Sequence, residues 1–108
     1  MFFTSKEVMD EACKRTGISD YGNLWFVEHL TVLIDLWEHE AELSESGMAM
    51  IKERMVEVLA NRLRLRNYQQ QHPEILEQRI DKPVVIIGLP RTGTTKLQRM
   101  MSASGDFH

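Results

Sequence analysis

Residues 83–105, PVVIIGLPRTGTTKLQRMMSASG, constrain what this chain can fold into more than any other stretch. Val84, Val85, Ile86 and Ile87 form an unbroken apolar, β-branched run, the composition of a strand buried on both faces, as in a parallel sheet. Gly88 ends the run, and a turn-rich loop follows, Leu89-Pro90-Arg91-Thr92-Gly93. Apolar residues then recur at helical spacing, at Leu97, Met100 and Met101, which predicts a helix over 94–104 with Gly105 as its stop.

Strand, glycine loop and helix, in that order, are the layout of a phosphate cradle. Gly88 and Gly93 permit backbone angles and close approaches that a Cβ would block. The first N–H groups of the helix have no carbonyl partners, and with the helix dipole they favour an anion. Thr94 and Thr95 add hydroxyl donors, and Arg91 adds a planar cation suited to phosphate. The Gly88-to-Gly93 spacing fits the frame G-x-x-x-x-G-K-[ST] of ATP-splitting P-loops except at one position. Thr94 stands where that frame has lysine, and the cation lies three residues earlier, at Arg91. The mismatch disfavours an ordinary ATP-splitting loop. A plain strand-to-helix turn with a chance glycine pair is the bland alternative for the same residues.

Gly88-Leu89-Pro90-Arg91-Thr92-Gly93-Thr94-Thr95 resembles, position for position, the loop G-x-P-[KR]-[ST]-G-[TS]-[TS] that follows the first strand of the cytosolic-type sulfotransferases. The likeness is closest to bacterial members, which carry a helical N-terminal region before the loop. It covers residues 83–101 closely and 21–107 loosely. The resemblance implies an α/β, P-loop-like nucleotide-binding fold. Of that fold this chain would hold a helical N-terminal region, residues 1–80, and the first strand–loop–helix unit, residues 81–108.

The resemblance also implies a chemistry. The loop would hold the 5′-phosphosulfate end of the sulfuryl donor 3′-phosphoadenosine 5′-phosphosulfate (PAPS), with no metal. Gly88, Pro90, Arg91, Thr92, Gly93, Thr94 and Thr95 would bind that donor. Arg91 would also be the catalytic residue, stabilising negative charge on the bridging oxygen as the sulfuryl group leaves. The acceptor would be a small molecule carrying a hydroxyl or an amine. Family members also use a general base, usually histidine or glutamate, and hold the 3′-phosphate with an arginine and a serine further along. No residue here is assigned to either task, and His108 comes too soon after the loop. The expectation is an enzyme in its full-length form and no turnover by these 108 residues alone.

A parallel strand needs neighbours. Only residues 84–87 read as a convincing strand, which predicts that the chain is the N-terminal piece of a larger α/β protein; otherwise 84–87 must pair with another chain or lie against helices. No stretch reaches the roughly 18 apolar residues of a membrane span. The opening residues MFFTSKE lack the pattern of a signal peptide. A single cysteine, Cys13, excludes an internal disulfide. Together these predict a soluble, cytoplasmic protein without membrane association. Charge is uneven: Lys82, Arg91, Lys96 and Arg99 against Asp81 and Asp106 leave residues 81–108 at +2, so the first eighty carry −5 of the net −3. A basic end on an acidic chain suits an anionic ligand near the loop and not the broad basic face of a nucleic-acid binder.

Before the loop the pattern is helical. Thr4 with Glu7 fits a capping box for a helix over 4–16, with Val8, Met9, Ala12 and Cys13 as its apolar stripe and Gly17 as its stop. Asp20 or Asn23 is placed to cap a second helix over 24–43, whose broad apolar face holds Phe26, Val27, Leu30, Leu33, Ile34 and Trp37. His29 and His39 are ten residues apart and face different ways, so surface or packing roles outweigh a metal site. Trp25 and Trp37 read as core or interface. A third helix over 48–70 presents Ile51, Met55, Val58, Leu59, Leu63 and Tyr68, and Arg62, Arg64 and Arg66 alternate and so do not form one patch. Pro73 starts a short helix through Gln78. In the sulfotransferases it resembles, such a helical prefix packs beside the nucleotide domain and helps shape the acceptor pocket or a dimer contact, so a homo-oligomer is among the expected partners. Two other functions compete: a P-loop phosphotransferase, and a non-catalytic helical module that self-associates through Met- and Trp-bearing faces.

Overall fold

The computed structural model describes residues 2–106. Its regular structure is α1 (Ser5–Thr16), α2 (Phe26–His39), α3 (Glu45–Gln71), a 3₁₀ turn (Pro73–Glu77) and α4 (Thr94–Ala103). The chain divides into two compact units, one ending at Glu77 and one beginning at Gln78.

The first unit holds the core. Thr4 caps α1 and Glu7 completes the capping box: the Glu7 N–H donates to Thr4 Oγ1 at 3.2 Å, and the Thr4 N–H donates to the Glu7 carboxylate at 2.6 Å. That second bond holds the Glu7 carboxyl below its ordinary range. Asp20 and Asn23 do not cap α2. Each accepts the N–H two residues on, from Gly22 at 2.8 Å and Trp25 at 3.0 Å, so both side chains are spent on Asx turns in the connector. Helix α2 therefore starts after Trp25 with no side-chain cap. Ser44 caps α3, accepting from the Gly47 N–H at 3.2 Å.

Helix α1 packs against α3 and, less extensively, against α2. Ala12 of α1 and Ala60 of α3 are wholly buried, and side chains this small leave Val8, Val56, Leu59 and Leu63 to fill the space around them. Met48 at the start of α3 and Leu30 and Ile34 of α2 complete the cluster. Tyr21, in the connector, donates its hydroxyl to the Met9 carbonyl at 2.8 Å, and burial pushes its phenol well above the ordinary range. Arg15 forks onto Glu53 with bonds of 2.5 and 2.7 Å, tying α1 to α3 across an exposed surface where such pairs contribute little.

The expected stripe on α3 is corrected: Val58 and Tyr68 are exposed, and Val56 and Ala60 take their places in the core.

The α/β expectation is overturned. Among the described residues there is no strand and no sheet, so the P-loop-like α/β fold of the sulfotransferases is not formed. Val84, Val85 and Ile87 are 58 %, 73 % and 90 % exposed. The physical reason is that a strand is a property of pairs. β-branched side chains fit a pleated, half-buried surface but do not supply one. Most of the remaining chain is committed to helices, whose backbone groups bond internally, so 84–87 has no ladder to join. The second unit is consequently α4 and the segments before and after it, with no buried residue in the helix.

Candidate functional site

The loop before α4 is built from four local constraints. Pro90 has its φ fixed near −65° by its ring. Arg91 follows at φ +64°, a left-handed conformation that costs a residue with a Cβ about 1 kcal/mol. Thr92 closes the turn by donating its hydroxyl to the Leu89 carbonyl at 2.6 Å. Gly93, at φ +90°, then stands as the N-cap of α4 and has no side chain to cap it with.

That last choice has an electrostatic consequence. The helical ladder begins only where the Leu97 N–H donates to the Gly93 carbonyl at 3.0 Å. The N–H groups of Gly93, Thr94, Thr95 and Lys96 donate to no acceptor among the described residues. They are the orphan donors of a helix N-terminus, at the positive end of its dipole.

Gly88 serves a different purpose from Gly93. Its φ is not positive, but a Cβ there would sit 3.0 Å from Thr94 Cγ2 and 3.1 Å from Thr92 Oγ1. Glycine is what lets the loop fold back so closely on its own start.

A hollow of about 560 Å³ adjoins this end of α4. Arg91, Gly93, Thr94 and Thr95 line its mouth, and Lys96 and Arg99 line it further along the helix. Among the described residues no carboxylate lines it, and neither Arg91, Lys96 nor Arg99 forms an ion pair. Of the residues singled out from sequence, Gly88, Pro90 and Thr92 shape the loop without lining the hollow. Lys96 and Arg99 were not singled out. The available signal was the +2 charge of residues 81–108 together with their three-residue spacing, which puts both on one helical face.

The other candidates resolve into structural roles. Arg62 lies 4.5 Å from the centre of the Phe26 ring and donates to the Asn23 carbonyl at 3.2 Å. Arg64 reaches Glu57 at 3.0 Å and Arg66 reaches Asp20 at 3.7 Å, so each of these three arginines has its own partner. His29 Nδ1 lies 3.2 Å from the Trp25 carbonyl and His39 Nδ1 lies 3.1 Å from Asp35. Among the described residues no three His, Cys, Asp or Glu side chains converge where they could hold a metal ion. Cys13 packs against the core, its thiol donating to the Tyr21 hydroxyl at 3.8 Å. Trp37 also packs there, whereas Trp25 is exposed. Among the described residues no helix is long and apolar enough to cross a membrane. Phe107 and His108 lie outside the described residues. No protein-family model, curated protein or solved structure matches this chain.

Proposed function

We propose that residues 88–95 bind the 5′-phosphosulfate of PAPS, and that the protein is a cytoplasmic sulfotransferase segment serving sulfuryl transfer to a hydroxyl or amine of a small acceptor. The observation that carries this is one convergence. The Arg91 guanidinium, the free amides of residues 93–96 and the Thr94 and Thr95 side chains meet at a hollow that, among the described residues, no carboxylate lines.

The donor's chemistry suits that set. A phosphosulfate is anionic along its length, and unpaired amides at a helix N-terminus bind such oxygens without a counter-ion. PAPS supplies an activated sulfate whose bond to the phosphate oxygen breaks as the sulfuryl group moves to the acceptor. Arg91 offsets the charge that grows on the released phosphate, and the amides and hydroxyls orient the group they hold. The left-handed Arg91 fits this role, since backbone strain persists where a side chain must be aimed. Cytoplasmic placement rests on the nature of the donor and on the single cysteine.

The test is a titration of the full chain with adenosine 3′,5′-bisphosphate, the desulfated donor, and with ATP plus Mg²⁺. The expected result is at least about tenfold tighter binding of the bisphosphate, and a loss of at least about tenfold in Arg91→Ala. Preference for ATP with Mg²⁺ would move the function to phosphoryl transfer. Unchanged binding in Arg91→Ala would favour a helical interaction module.

A further inference from the structure

We infer that two copies of this chain associate through the exposed side of α2, the two helices running antiparallel about a two-fold axis. The inference concerns the first unit and does not depend on the assignment of the loop before α4.

The surface is a row of side chains. Trp25, His29, Val32 and Leu36 succeed one another at intervals of four, three and four residues, so they stand in line along α2 and its N-cap, with Leu33 beside them. Leu30 and Ile34 turn into the core, whereas Trp25, Val32, Leu33 and Leu36 are exposed. A surface helix ordinarily carries one apolar stripe with polar residues opposite. α2 carries a second one, and a contiguous exposed row of large apolar side chains marks a contact surface. Its aromatic end is held in place. The Trp25 and His29 rings meet edge-on with centres 5.8 Å apart, and the Arg62 guanidinium lies 6.0 Å from the centre of the Trp25 ring. Tryptophan and arginine fixed in this way are the residue types that anchor protein interfaces.

Charge selects the occupant. The far end of α2 is acidic: Glu40 is its C-cap and Glu42 follows, both exposed, and neither forms an ion pair among the described residues. A carboxylate at the negative end of a helix dipole is ill placed until a cation meets it. At the other end Arg62 donates to the Asn23 carbonyl and, unlike Arg64 and Arg66, meets no carboxylate among the described residues. A second copy supplies both missing charges, because a two-fold axis through the middle of the row lays each acidic end beside the other's arginine. Setting Trp25 on the partner's Leu36, and His29 beside the partner's Val32, brings Glu40 near the partner's Asn23, the residue whose carbonyl Arg62 holds. A parallel pair would instead bring the two acidic ends together and leave both arginines unanswered. The row is about 17 Å long, shorter than a standard interface, so the association is a weak one.

Analytical ultracentrifugation of the full chain between about 5 and 500 µM should show a monomer–dimer equilibrium with a Kd of about 1–100 µM. Val32→Glu, at an exposed position, should weaken the dimer at least about tenfold, and Glu40→Lys at least about threefold. A chain that is monomeric at every concentration overturns the inference and leaves the row to a partner of another sequence. Association that Val32→Glu leaves unchanged overturns it as well, and helical circular dichroism separates a lost contact from a lost helix. Cross-linking fixes the orientation. In a Cys13→Ala background, a mixture of the Trp25→Cys and Leu36→Cys chains should form the mixed disulfide in excess of either homodimer. An excess of the Leu36→Cys homodimer would mean parallel pairing and overturn the inference, and this readout holds whether or not Val32→Glu folds.

Discussion

Gly93 and Gly88 occupy one loop for different reasons, and substitution should separate them. Alanine at 93 has room for its Cβ but must hold φ +90°, a conformation that costs about 1–2 kcal/mol in an L-residue. The loop is short and exposed, so it should relax to another conformation and scatter the amides of residues 93–96. Bisphosphate affinity in Gly93→Ala is expected to fall about tenfold. Alanine at 88 keeps an allowed backbone and meets Thr94 and Thr92 at 3.0–3.1 Å, contacts that yield with small shifts. The expected loss there is about threefold or less. Titrating both variants checks this; binding by Gly93→Ala as tight as that of the unaltered chain would show that loop conformation does not set affinity. At this scale much was legible in the sequence. The Thr4–Glu7 capping box and the glycine stop at 17 follow from chemistry contained within a few residues. Arg91 at the hollow was legible from the loop motif, whereas Lys96 and Arg99 were not, because nothing local marks a helical cation as facing a hollow and not open water.

Among elements, helices were far easier to read than the strand. A helix bonds to itself, so periodicity and caps suffice to place it within a few residues. Residues 84–87 have the side chains of a strand, but pairing depends on a second segment that no local pattern supplies. Faces were harder than existence. α2 carries apolar residues on both sides, with Leu30 and Ile34 buried but Val32, Leu33 and Leu36 exposed, so Leu33, expected on the same apolar face as Leu30 and Ile34, does not share their burial. The same physics predicts how firmly each helix holds. α4 has ten residues, no capping side chain and no buried residue. Isolated helices below roughly 12–15 residues are marginal in water. Amides of residues 97–103 should therefore exchange with solvent at least about a hundredfold faster than those of residues 56–63, and should slow when the bisphosphate binds. Hydrogen exchange read by mass spectrometry tests this, and equal protection in α3 and α4 would refute it.

For the whole molecule, stability and the candidate site belong to different parts of the chain. Every buried hydrophobic residue among those described falls between Phe3 and Leu63, within the unit that ends at Glu77. That unit contains its own caps, its own core and the Arg15–Glu53 pair. α3 has 27 residues and runs about 40 Å, roughly twice the length of α1 or α2, and α1 packs along it. A chain ending at Glu77 should thus fold by itself. Its thermal midpoint should lie within about 4 °C of the full chain, a change below about 1 kcal/mol for a domain of this size. Bisphosphate binding should vanish, since residues 88–99 are gone. Leu63 is fully buried in α3, and Leu63→Ala should cost about 2–5 kcal/mol, by lost burial plus the cavity left behind, in the long and the short chain alike. Parallel melts followed by circular dichroism check all of this. A midpoint more than about 10 °C lower in the short chain, or a broad transition without cooperativity, would mean that residues beyond Glu77 take part in the core, and the separation of stability from binding would have to be abandoned.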